Sequence, residues 1–191
     1  MTIFGKFTPS ARQAMVEAGL LAADAGHDLL DEDLILLALA KTRPFDEPLG
    51  GFDLTTEAVR TAMTAAGGGA VRPHDRELLA TLGIDLDEVR RRASGLARVD
   101  DPARWTLFRS RWRPLAMILS GPAHDLVLTG RARKVVEVAM NWHGSTGRVT
   151  GEDLLRGLLA DGSNRSVRIM GGNGVDLRRL ATDLRFLRTA A

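Results

Sequence analysis

Apolar residues along this chain recur at helical spacing, and the alternating runs that a half-buried strand needs are nearly absent. Thr8 stands as an N-cap with Pro9 at the first helical position. Ala11, Met15, Ala18, Leu21, Ala22 and Ala25 then follow one face until Gly26 stops the helix. The pattern predicts a second helix over 31–40, ending before Pro44, and a third over 55–66. Gly67-Gly68-Gly69 breaks the pattern, and two short helices are expected over 75–82 and 85–97 around Gly83. Later, Thr129 caps a helix reaching about 143 and Thr150 caps the next. A short helix is expected over 164–170, and 175–187 closes the chain.

The chain repeats itself. Phe7-Thr8-Pro9-Ser10-Ala11-Arg12 followed by Ala14-Met15-Val16-Glu17-Ala18 is echoed by Leu128-Thr129-Gly130-Arg131-Ala132-Arg133 followed by Val135-Val136-Glu137-Val138-Ala139. Each copy is followed by an acidic dipeptide opening a leucine-rich helix, Glu32-Asp33-Leu34 and Glu152-Asp153-Leu154. Each then reaches a small turn, Leu49-Gly50-Gly51 and Met170-Gly171-Gly172, and a further helix. Two copies that bury their apolar faces against each other predict an all-α fold with pseudo-twofold symmetry. The boundaries read as 1–97 for the first copy with an extra turn-plus-helix unit, 98–127 for a connecting segment, and 128–191 for the second copy.

The connecting segment has a different composition. Trp105, Phe108 and Trp112 fall on one face at helical spacing, interleaved with Arg104, Arg109, Arg111 and Arg113. One reading is a nucleic-acid or membrane-surface helix. The favoured one is an interhelical connection whose aromatics pack on the domain while the arginines snorkel, because Pro114 cuts any helix short.

Composition narrows the classes. A chain of 191 residues, 45% of them hydrophobic, is long enough for one compact domain or two small ones in close contact. Without cysteine there is neither a disulfide nor a thiolate metal site. No apolar run approaches a membrane span and no signal core opens the chain, so a cytoplasmic location without membrane contact is expected. The pI near 9.6 overstates the basicity, since the formal net charge is only +2 and nearly all the cations are arginine.

Catalytic patterns fail in turn. His27, His74, His124 and His143 form no HExxH pair, no GxSxG elbow is present, and neither glycine-rich stretch continues into the lysine of a phosphate-binding loop. The expectation is a protein without enzymatic activity, cofactor or metal.

The residues that stand out match a family. Phe4-Gly5-Lys6-Phe7-Thr8, the Ala11-Arg12 pair, Gly26-His27 before an acidic leucine-rich helix, and Leu82-Gly83-Ile84-Asp85-Leu86-Asp87-Glu88-Val89-Arg90 resemble the N-terminal repeat domain of ClpC-type Clp unfoldases. The resemblance runs from Phe4 to about residue 187, interrupted by a poorly matching stretch over 98–122. It implies a tandem repeat of two four-helix units, here as a stand-alone copy without ATPase modules. It also implies a peptide- or protein-binding function beside a Clp protease, with substrates, adaptors, Clp ATPase subunits or cyclic peptides as partners.

Two sets of site residues follow from the resemblance. A glutamate near the start of the second helix of each repeat can pair with the guanidinium of phosphorylated arginine. The matching positions are Asp33 and Glu152, each still a carboxylate although the family's neighbouring threonine and histidine are replaced. A peptide-binding surface would comprise Phe4, Phe7, Met15, Leu128 and Arg133, with core packing the competing role for Met15 and Leu128. The functional alternative is an arginine-rich helical regulator that binds nucleic acid through 104–113. Charge alone does not favour nucleic acid as the partner.

Overall fold

In a computed structural model of the chain, residues 2–46, 49–65, 102–110, 116–122, 124–142 and 147–185 are described. A 3-10 turn over Ile3–Lys6 leads into helix α1, Pro9–Asp24, and a short strand β1, Leu29–Leu30, leads into α2, Glu32–Thr42. Helix α3, Thr56–Ala65, follows. The strands β2, Thr106–Arg109, β3, Met117–Ser120, and β4, Asp125–Leu128, precede α4, Gly130–Trp142. Helices α5, Gly151–Leu159, α6, Arg165–Gly172, and α7, Leu177–Asp183, complete the order. The helices expected over 75–82 and 85–97 lie outside the described residues.

Local chemistry sets the helix ends. The Thr8 hydroxyl accepts from the Ala11 N–H at 3.3 Å, with Pro9 at the first turn. Asp31 caps α2 by accepting from Leu34 N–H at 2.9 Å, and α2 stops at Arg43, whose left-handed φ of 47° precedes Pro44. From Leu34 to Ala40 every residue of α2 is buried, the signature of a central helix with no solvent face. Arg43 then turns back, donating to the carbonyls of Phe52 at 2.6 Å and Leu54 at 2.8 Å, which pins the chain entering α3.

The all-α expectation is overturned by a four-stranded mixed sheet of order β1-β4-β3-β2. The strands β2, β3 and β4 form an antiparallel meander, and β1 joins β4 in parallel, with Leu29 opposite Val127 and Leu30 opposite Leu128. The described helices are therefore not arranged as two four-helix units. Most of the sheet comes from the segment read as a connection. Trp105, Phe108 and Trp112 have helical spacing, but Thr106–Arg109 is a strand, and Trp112 and Pro114 lie outside the described residues. The sheet's inner face, formed by Leu30, Leu107, Met117, Leu119, Leu126 and Leu128, is buried. Its outer face carries half-buried Phe108, Ile118 and Val127 beside exposed Leu29.

Trp105, 2% exposed, wedges between α1 and the turn after β3. A Cβ on Gly19 or on Gly121 would come 2.6 Å from its indole ring, so both positions admit the tryptophan only as glycine.

The strands also join the two halves of the chain crosswise. Thr8 N–H donates to the Val149 carbonyl at 2.9 Å, and Thr129 N–H donates to the Leu30 carbonyl at 2.9 Å. The segment entering α1 thus pairs with the one entering α5, and the segment entering α4 pairs with the one entering α2. Each half supplies the strand partner for the other's leucine-rich helix.

Candidate functional site

The two leucine-rich helices begin alike. The Thr150 hydroxyl accepts from Asp153 N–H at 3.3 Å and the Asp153 carboxylate accepts from Thr150 N–H at 2.9 Å, a reciprocal capping box at the start of α5. Asp153 is fully buried and also pairs with Arg156, whose guanidinium lies 5.2 Å from the centre of the Trp142 ring. Counted from the caps Asp31 and Thr150, the second helical residues are Asp33 and Glu152. Both sites identified from the sequence therefore occupy the same place on equivalent helices.

Each of these carboxylates reaches across to the other half of the chain. Asp33, 2% exposed, accepts from the Ser166 hydroxyl at 2.9 Å and pairs with Arg165 Nε at 3.1 Å, both from the start of α6. Glu152 accepts through Oε1 from the Asp46 N–H at 2.7 Å, in the turn that follows α2. The symmetry stops there. Both Asp33 oxygens are engaged, whereas Glu152 Oε2 is buried without a hydrogen-bond partner, the sole carboxylate oxygen in that condition among the described residues.

Electrostatics mark Asp33 further. Burial pushes its carboxyl up from 3.8 to about 6. The Ser166 hydrogen bond opposes that rise, Asp31 adds to it, Arg165 opposes it, and Glu32 adds to it. Its neighbour Glu32, 5% exposed, faces Arg131 of α4 at 3.4 Å. Two arginines from the second half thus stand against the acidic start of α2.

The peptide-binding set is placed differently from its sequence assignment. Phe4, Phe7, Met15 and Leu128 are each 5% exposed or less, so they belong to the core and present no open apolar groove. The Phe4 and Phe7 rings pack edge-to-face with centroids 5.5 Å apart, and the Arg12 guanidinium lies 5.2 Å from the Phe4 ring centre. Arg133 alone is partly exposed, with Nε 3.8 Å from Glu137. By their burial Phe4, Phe7, Met15 and Leu128 pack the entries of α1 and α4 into the core. The nucleic-acid alternative also loses its element, because Trp105 is buried and Arg109 lies on a strand with its guanidinium 3.2 Å from Glu137. Arg111 and Arg113 lie outside the described residues.

Arg165 and Ser166 were not singled out from the sequence. No local pattern joins them to Asp33, since the pairing exists only after α6 has docked on α2. Among the described residues no group of His, Cys, Asp and Glu is placed to hold a metal ion, and no helix is long and apolar enough to cross a membrane.

No known family profile matches the chain, and no curated protein matches it in sequence. Among solved structures it is similar to the N-terminal domain of the caseinolytic protease associated chaperone ClpD from Arabidopsis thaliana, with a TM-score of 0.54 and 18% identity. The match covers 96% of this chain and 95% of that one. The fold is Clp N-domain-like. Within that fold, this chain carries one helix-start carboxylate closed by its own residues and a second with an unfilled acceptor.

Proposed function

We propose that this chain is a Clp-type recognition domain that binds protein or peptide partners and performs no chemistry itself. The observation that carries the reading is the likeness to a Clp chaperone N-terminal domain over nearly the whole chain. The partners would be substrates, adaptors or ATPase subunits of a Clp protease. At the level of a site, the unfilled Glu152 oxygen supports recognition of a guanidinium group. A buried carboxylate oxygen without a donor is costly and is relieved by a planar cation that can supply two N–H groups. Phosphorylated arginine is the ligand of that class expected from the family resemblance. A decoy for cyclic peptides gains no support, because its apolar contacts Phe4, Met15 and Leu128 are in the core.

The test is a pull-down on immobilised chain from a lysate containing Clp ATPase subunits, run beside Glu152→Gln. Recovery of Clp subunits or substrates by the parent chain and a roughly tenfold reduction by the variant are expected, the latter corresponding to about 1.4 kcal/mol of binding. Recovery no greater than from blank resin would end the reading.

A further inference from the structure

The start of α6 is fixed independently of its arginine. Asn164, 2% exposed, donates through Nδ2 to the Leu158 carbonyl at 2.6 Å and accepts from Val167 N–H at 2.8 Å. Ser166, fully buried, places its hydroxyl on Asp33. The Arg165 side chain, partly exposed, lies against the buried Asp33 carboxylate. It forms part of the wall of an open cleft of about 670 Å³ between α3 and α6, with Ala58, Ala62, Ala65, Arg168 and Ile169.

The way Arg165 fills this place is poor for an arginine. Its Nε lies 3.1 Å from Asp33 Oδ2, yet makes no hydrogen bond there, and the Nη2 group is diverted to the Met63 carbonyl at 2.7 Å. A guanidinium that meets a carboxylate freely does so with two parallel N–H donors, which is the stronger arrangement. Arg165 therefore neutralises Asp33 without using the fork that an unconstrained guanidinium would offer.

Taking as given the reading of Asp33 and Glu152 as guanidinium sites, we infer that the Asp33 site is closed in cis by Arg165, an internal stand-in that an arginine side chain from a ligand can replace from the cleft. The chain then has two binding places of unequal readiness. Glu152 keeps an unpaired acceptor in the resting fold. Asp33 becomes available only when Arg165 swings into the cleft it borders.

The experiment replaces Arg165 by glutamine, which keeps a donor for the Met63 carbonyl, and measures the thermal midpoint with and without ethylguanidinium. A rise of about 4 °C at a tenfold excess over the dissociation constant is expected for R165Q. The parent chain and the double variant D33N/R165Q should respond less, and equally to each other. Arg165→Met, which removes the charge and keeps the side-chain length, carries the same comparison if the glutamine variant does not fold. Equal responses from single and double variants, or no response from any, overturn the inference. The rescue reads the plug itself, whereas recovery of Clp partners by the parent chain reads the proposed function, so either can fail alone.

Discussion

Replacing Trp105 by alanine is expected to lower the free energy of unfolding by about 3–5 kcal/mol, the range for deleting a large buried aromatic. For a chain of this size that corresponds to a fall of roughly 10 °C in thermal midpoint. The effect should be large because two glycines, Gly19 and Gly121, have been fitted to the indole and neither can move a side chain into the space left behind. The Trp105 carbonyl also accepts from Arg12 Nη2 at 3.1 Å, which ties the start of β2 to α1 and, through Arg12, to the Phe4 ring. Urea denaturation of parent and variant checks the prediction. A loss below 1 kcal/mol would mean that the sheet is not anchored through this residue.

The second large effect is a pH dependence with an unusual sign. Because the Asp33 carboxyl is raised from 3.8 to about 6 in the folded chain, the folded state holds its proton more tightly than the unfolded state does. This group's contribution therefore favours folding fully below about pH 3.8 and is lost as pH rises through 6, by about 3 kcal/mol in all. Most paired carboxylates act the other way. Asp161 is one: hydrogen bonds from Ser163 and then Lys134 lower it to about 2, so its contribution is present above about pH 3.8 and is lost as pH falls through 2. Comparing the parent chain with Asp33→Asn cancels such background terms. The stability difference, parent minus variant, should fall by about 2.4 kcal/mol between pH 4 and pH 7. A difference that stays constant across that interval would place Asp33 in water or in a stronger ion pair than the geometry describes.

Much of the helical framework could be read from local chemistry. Thr8 with Pro9 and Thr150 each cap the helix assigned to them, and α2 ends before Pro44 as its breaker requires. The sheet could not be read in the same way. Its strands are four residues or fewer, too short for alternation to emerge, and Met117-Ile118-Leu119 and Leu126-Val127-Leu128 read equally well as buried helix. What decides them is the turn between β3 and β4, where Gly121 N–H donates to the His124 carbonyl at 2.9 Å. The parallel register with β1, which lies in the other half of the chain, completes the arrangement.

The candidate site divides along the same line. Asp33 and Glu152 were legible through the family resemblance, and the structure places them equivalently, each second after its helix cap. Their difference in state was not visible. It depends on Arg165 and Ser166 in one case and on the Asp46 N–H in the other, contacts that exist only after the halves have docked. The burial of Phe4, Phe7, Met15 and Leu128 was concealed for a related reason. An apolar side chain before a helix looks the same in sequence whether it faces a ligand or the entering strand of another half, as Phe7 faces Val149 and Leu128 faces Leu30.

The most direct measurement is a calorimetric titration of the parent chain with a peptide bearing one phosphorylated arginine, beside Glu152→Gln and Asp33→Asn. Guanidinium recognition at the unpaired Glu152 oxygen, with Asp33 closed, predicts one equivalent bound by the parent chain, unchanged in Asp33→Asn and weakened about tenfold in Glu152→Gln. Absence of binding to the parent chain, or an affinity unchanged in Glu152→Gln, would contradict it.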